Sequence, residues 1–205
     1  MNIDARLVKS LSDKTGAGMM DCKRALLESD GDIENAIDYL RKSGITKAEK
    51  KGSRETKEGV IYSYIHAGGR LGVLIELNCE TDFVAKTDGF KELAHNISMQ
   101  IAATNPIAID KDLVDKRVIS KEKEIYTEQA KSEGKPDNII EKMVEGRIQK
   151  FFQESSIMQQ TYIKDSDKKV IDLFNETIAT LGENISVNRF SRFSIGDSTP
   201  NDQQI

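Results

Sequence analysis

The chain has 205 residues, 38% of them apolar and 31% charged, with a formal net charge of −4. That length suffices for one large or two small domains. No apolar run approaches the roughly 20 residues that span a bilayer, and an acidic balance has the wrong sign for neutralising phosphates, which counts against direct nucleic-acid binding. Met1-Asn2-Ile3-Asp4 carries neither a basic stretch nor an apolar one, so no signal peptide is expected. Two cysteines, Cys22 and Cys79, make no disulfide framework. Both sit among apolar neighbours and are expected as buried, reduced thiols in a cytosol.

In chain order, residues 1–45 read as three short helices. Ile3, Leu7, Val8 and Leu11 fall on one helical face. Gly16 and Gly18 interrupt it, and Cys22, Ala25 and Leu26 give a second face that stops at Gly31. Asp32 is placed to N-cap a third helix along Ile33, Ala36, Ile37 and Leu40, which Ser43-Gly44 should end. At the Gly18-Met19-Met20 corner adjacent methionines cannot both point inward, so at least one is expected on the surface. Residues 46–58 are dense in charge and read as a linker, with room for a short helical extension to Lys51 before Gly52-Ser53.

From Gly59 the period changes to two. Val60, Tyr62 and Tyr64 alternate with Ile61, Ser63 and Ile65, and Val73, Ile75 and Leu77 alternate with Leu74 and Glu76. Between them His66-Ala67-Gly68-Gly69-Arg70 predicts a hairpin turn. Phe90, Leu93, Ala94, Ile97 and Ile101 trace an amphipathic helix, with His95 on its polar flank. Ile107-Ala108-Ile109 has the look of a short strand. Helices are predicted over 118–133, along Ile140 to Phe151, and along Val170 to Leu181. A long strand, 185–195, follows, with Ile185, Val187, Phe193 and Ile195 in one parity. Strands, then helices, then a strand predict an α+β core with an antiparallel sheet over 59–196. The polar tail, 197–205, is expected to be disordered.

The stretch Asn78-Cys79-Glu80-Thr81-Asp82-Phe83-Val84-Ala85 sits where a strand hands over to a helix, a rim that carries function more often than an element interior does. Thr81 or Asp82 can cap a short turn there. Phe83 is either tucked into the core or presented as a wedge beside a bare carboxylate. Elsewhere there is no phosphate-binding glycine loop, no zinc-protease motif and no Cys-x-x-Cys, and two histidines are too few for most metal sites. No cofactor and no bound metal are therefore expected. A thiol enzyme with Cys79 as nucleophile and His66 as base is a further reading, set against the ordinary role of a small buried cysteine after a strand.

The stretch 78–85 resembles the signature of bacterial elongation factor Ts, the guanine-nucleotide exchange factor family that acts on elongation factor Tu. Thr15-Gly16-Ala17-Gly18-Met19-Met20-Asp21-Cys22-Lys23-Arg24-Ala25-Leu26 is similar to the family's other hallmark. The likeness runs from about Ile3 to Ile195. It implies an N-terminal ubiquitin-associated-like three-helix module, docked on the partner's nucleotide-binding domain through Met19 and Met20, with Lys9 and Lys23 as further contacts. It implies that Thr81, Asp82, Phe83 and Val84 intrude beside the partner's magnesium ion, dislodging it and promoting release of GDP so that GTP can reload. His66, in Tyr64-Ile65-His66, would reach the partner's phosphate-binding loop. No bond is made or broken, so the resemblance implies a factor and not an enzyme, working in the cytoplasm on elongation factor Tu that is GDP-bound or nucleotide-free. The chain resembles the short form with one core module, for which a homodimer would restore a pair. Arg189-Phe190-Ser191-Arg192-Phe193 has serine where some short members carry cysteine, which rules out an intersubunit disulfide there. The alternative is a helical adaptor or scaffold that holds a partner without affecting its nucleotide.

Overall fold

The described residues, 3–197 of a computed structural model, fold as an α+β protein with antiparallel sheets, as the order of elements predicts. The expectation for the tail, 197–205, falls outside them except at Asp197. Three α-helices come first. Asp4 caps α1 (Ala5–Thr15) by accepting from the Arg6 N–H, and Gly16 closes it with φ 67°, a left-handed value that glycine adopts without steric cost. α2 (Met19–Glu28) follows. Asp32 then caps α3 (Ile33–Lys51), accepting from the Asn35 N–H. Val8, Leu11, Cys22, Ala25, Leu26 and Ala36 form their common core.

α3 does not end at Ser43-Gly44 but runs on to Lys51. The reason is tertiary. Gly44 is buried where α3 crosses a later helix, α8 (Val170–Leu181), and a Cβ on it would lie 3.7 Å from Ala179 Cβ. Arg41 pairs with Asp172 at 2.6 Å and Lys47 with Asp21 at 2.7 Å. These contacts outweigh the roughly 1 kcal/mol that a mid-helix glycine costs relative to alanine. The charged stretch 46–58 therefore begins as helix and becomes extended only after Gly52.

Strands β1 (Glu58–Ile65), β2 (Leu71–Cys79) and β5 (Ile185–Ser194) form a sheet in the order β1-β2-β5. Gly68 and Gly69 take φ 90° and 67° in the predicted turn, which the His66 N–H closes onto the Leu71 carbonyl at 2.8 Å. In β2, Val73, Ile75, Leu77 and Cys79 face inward, as their parity predicts. β5 departs from its expected single parity. Ile185 and Val187 are buried, but Phe193 and Ile195 are 65% and 63% exposed. Two successive exposed residues, Asn188 and Arg189, interrupt the alternation, and the inward place passes to Arg192, which donates to the Ala102 carbonyl at 3.2 Å and pairs with Asp197 at 2.8 Å.

The contacts divide the described residues into two compact units. The first comprises residues 3–63, Leu74–Asn96 and Ile171–Phe190. Beyond the three-helix core it buries Ile75, Leu77, Phe90, Leu93 and Phe174. The second comprises Tyr64–Val73, Ile97–Val170 and residues 191–197. It holds a helical hairpin of α6 (Lys116–Ser132) and α7 (Asp137–Ser155), in which Arg147 lies over the Tyr126 ring. Ile107-Ala108-Ile109 makes a single parallel bridge, Ala108 to Ser156, in place of a strand. A further hairpin, β3 (Thr161–Tyr162) with β4 (Asp165–Lys169), carries no apolar alternation to announce it. Buried Gln100 supplies the reason. It donates to Gln160 Oε1 at 2.9 Å and to the Thr161 carbonyl at 3.1 Å, and accepts from the Ile163 N–H at 2.9 Å. A buried amide satisfied on both sides fixes backbone that sequence periodicity leaves unspecified.

Candidate functional site

The signature stretch is a hydrogen-bonded corner between β2 and α5 (Asp88–Thr104). Its middle is one helical turn, α4 (Asp82–Ala85). Val84 and Ala85 are buried beneath it, at 9% and 5% exposure. Thr87 closes the corner, its hydroxyl donating to the Val84 carbonyl at 2.8 Å and accepting from the Phe90 N–H at 3.3 Å. Phe83 points the other way and is 79% exposed. The ring therefore lies in water and is not part of the core. Asp82 beside it accepts from the Lys86 ammonium at 2.6 Å, and that hydrogen bond, with the charge behind it, holds its carboxyl below the usual aspartate value.

Thr81 precedes the turn with extended backbone, φ −131° and ψ 155°, yet its side chain caps nothing. It turns instead to Glu183, donating from Oγ1 to Oε1 at 2.6 Å. The Thr81 and Glu80 N–H groups both donate to Glu183 Oε2, at 2.9 and 3.1 Å. In return the Glu80 carboxylate accepts from the Asn184 N–H at 2.7 Å and from Arg54 at 3.4 Å. Sequence reasoning misses Glu183, and nothing near it in sequence flags it. It is a lone acid after Gly182, a hundred residues from the turn it grips.

Cys79 is buried and donates from Sγ to the Thr81 carbonyl at 3.1 Å. Burial first, and the neighbouring Glu183 carboxylate second, push its thiol up to about 11. It is a neutral thiol at physiological pH and lacks the thiolate that a nucleophile requires. The structure gives it a packing role at the end of β2.

Met19 and Met20 open α2, 49% and 74% exposed, so both methionines reach the surface. Lys9 on α1 and Lys23 on α2 are exposed as well. His66 is exposed at the tip of the β1–β2 hairpin, where Nδ1 lies 2.8 Å from the Tyr64 hydroxyl. His95 is half-buried and hydrogen-bonded to the Tyr62 hydroxyl at 3.1 Å, in a nearly perpendicular ring contact. Among the described residues there is no cluster of three metal-ligating side chains, and no helix is long and apolar enough to cross a membrane.

Comparison with known proteins gives one consistent result. A family profile described as Elongation factor TS matches residues 44–197. A protein of Syntrophomonas wolfei named Elongation factor Ts is 58% identical over 195 residues, 95% of this chain and 91% of that relative. One from Oleidesulfovibrio alaskensis is 55% identical, covering 95% of this chain and 98% of its own length. One from Thermotoga maritima is also 55% identical, covering 96% and 98% respectively.

Proposed function

The chain belongs to the elongation factor Ts family of translation elongation factors, and from that premise we propose that it is a guanine-nucleotide exchange factor for elongation factor Tu. The exposed ring of Phe83, on a turn anchored by buried Val84 and Ala85, is the observation that supports this reading most. The factor binds the GDP-loaded or nucleotide-free partner in the cytoplasm. Seating Phe83 in an apolar groove contributes roughly 1.5–3 kcal/mol. That energy moves partner elements that hold the magnesium ion. Magnesium demands near-ideal octahedral geometry, so a small displacement of its ligands or waters weakens it sharply, and GDP with it. Asp82 reorganises polar groups beside the ion, while Thr81 and Val84 hold the pair at its angle. By linkage, a factor that weakens the nucleotide is itself weakened by the nucleotide to the same extent.

In this reading Met19 and Met20 anchor a ubiquitin-associated-like module on the partner's nucleotide-binding domain. Methionine suits such a surface because its unbranched thioether adapts to the groove it meets. Lys9 and Lys23 add exposed charge at its rim, and His66 approaches the phosphate-binding loop. The core domain pairs two chains, supported by the exposed apolar residues Ile65, Phe193 and Ile195 of the second unit. No covalent chemistry is involved.

The test is stopped-flow release of fluorescent GDP from purified elongation factor Tu. The wild type should accelerate release by orders of magnitude. Phe83→Ala should lose most of that acceleration while still binding. Full acceleration by Phe83→Ala would reduce the ring to a bystander, and none by the wild type would leave only an adaptor that holds its partner.

A further inference from the structure

The turn that presents Phe83 is not held by its immediate neighbours alone. Thr81 occupies the capping position of α4 but makes no side-chain cap bond. Its hydroxyl and backbone N–H, and the N–H of Glu80 before it, all converge on the Glu183 carboxylate at 2.6 to 3.1 Å. We propose that Glu183 is the positioning residue for the Asp82-Phe83 turn, setting the direction in which the ring leaves the fold; its consequence for nucleotide release rests on the exchange reading above.

Three donors on one carboxylate fix an orientation, because charge-assisted hydrogen bonds are shorter and stronger than neutral ones. The first α4 residue follows directly on Thr81, so rotating the Glu80-Thr81 peptide rotates the whole single-turn helix. The grip is reciprocal. The Glu80 carboxylate accepts from the Asn184 N–H at 2.7 Å, and the Asn184 side-chain amide donates to the Arg54 carbonyl at 2.8 Å. The end of β2 and the start of β5 thus exchange carboxylate-to-backbone bonds across the sheet end. Val84 and Ala85 hold the opposite side by burial. The ring of Phe83 has packing below it and a clamp behind it, and only its exposed face is left for a partner.

Glu183→Ala removes both acceptor oxygens and with them all three hydrogen bonds. Glu183→Gln retains an oxygen for the two backbone N–H groups and can donate its amide to the Thr81 hydroxyl, so it keeps the geometry without the charge. Two readouts are taken, amide hydrogen exchange in the free protein and stopped-flow GDP release. In Glu183→Ala the Glu80 and Thr81 amides should lose protection while Ile75 and Leu77 keep theirs. Maximal release should fall about tenfold or more, toward the roughly hundredfold that misplacement by an ångström can cost, with a smaller change in the half-saturating concentration. Glu183→Gln should restore both readouts. Should Glu183→Ala not fold, Thr81→Val, which deletes only the hydroxyl bond, takes its place and should slow release to a lesser degree. Unchanged protection at Glu80 and Thr81, or protection lost equally at Ile75 and Leu77, overturns the proposal, as does wild-type release by the variant. If the wild type itself fails to accelerate release, the exchange reading falls, and the amide arm alone decides whether Glu183 positions the turn.

Discussion

Asp82 and Lys86 meet at 2.6 Å across one turn of α4, and the lysine sets how the carboxylate titrates. The pair lowers the folded-state value of Asp82 and raises that of Lys86. A depressed carboxylate contributes above its unfolded value, about 3.9, and loses that contribution as the pH falls through its lower folded value. The pair is thus complete at neutral pH. An NMR titration should place the Asp82 carboxyl midpoint below about 3.9, and Lys86→Ala should return it toward that value. A midpoint that ignores Lys86→Ala would mean the ion pair does not form in solution. The acid and the ring were legible in the sequence as an oddity, a charge and an aromatic side by side in a turn. Which way the ring faces was not, because Val84 and Ala85 compete for the same burial, and only the packed corner shows that they occupy it. Glu183 was invisible for a different reason. A hydrogen bond between residues 102 positions apart leaves no periodic trace in the chain.

At the scale of elements, the effect of a glycine depends on what lies opposite it. Gly44 sits inside α3 with ordinary contact distances to Ala179 and Asn175. Gly44→Ala should therefore stabilise the protein by about 0.5–1 kcal/mol through helix propensity, read as a rise in melting temperature. Gly59, at φ 153°, is the converse. A Cβ there would collide with the Leu77 carbonyl oxygen and lie 2.8 Å from Asn78 Cα, so Gly59→Ala should destabilise by about 1–3 kcal/mol. A drop in melting temperature for Gly44→Ala would show that the helix crossing has no room for a methyl group. Helices with a clean apolar stripe, such as α5 and α8, were read correctly because burial of that stripe is the main source of helix stability. The β3–β4 hairpin was missed because its organiser, Gln100, is a polar side chain on a distant helix.

For the whole molecule, the exposed apolar side chains of Phe193 and Ile195 set the next expectation. Their parity in β5 matched the buried Ile185 and Val187, yet they face water beyond the break at Asn188-Arg189. If two chains pair through this surface, the protein should sediment with the mass of two chains, and Phe193→Asp should shift it to one while leaving its circular dichroism unchanged. A single-chain mass for the wild type would remove the pairing. Ser191 beside them leaves such a pair to noncovalent contacts.

The sequence by itself determined the class of the fold, the hairpin and its glycine turn, the apolar faces of the main helices, and the two motifs that carry the family. Each of these is written in local spacing, because a helix or strand repeats its environment every few residues. Only the tertiary structure decided how far α3 runs, where β5 changes face, why a polar hairpin forms at 161–169, and that Glu183 grips the turn bearing Phe83. All four depend on a partner brought close by the fold from far along the chain, and contacts of that kind have no period to read.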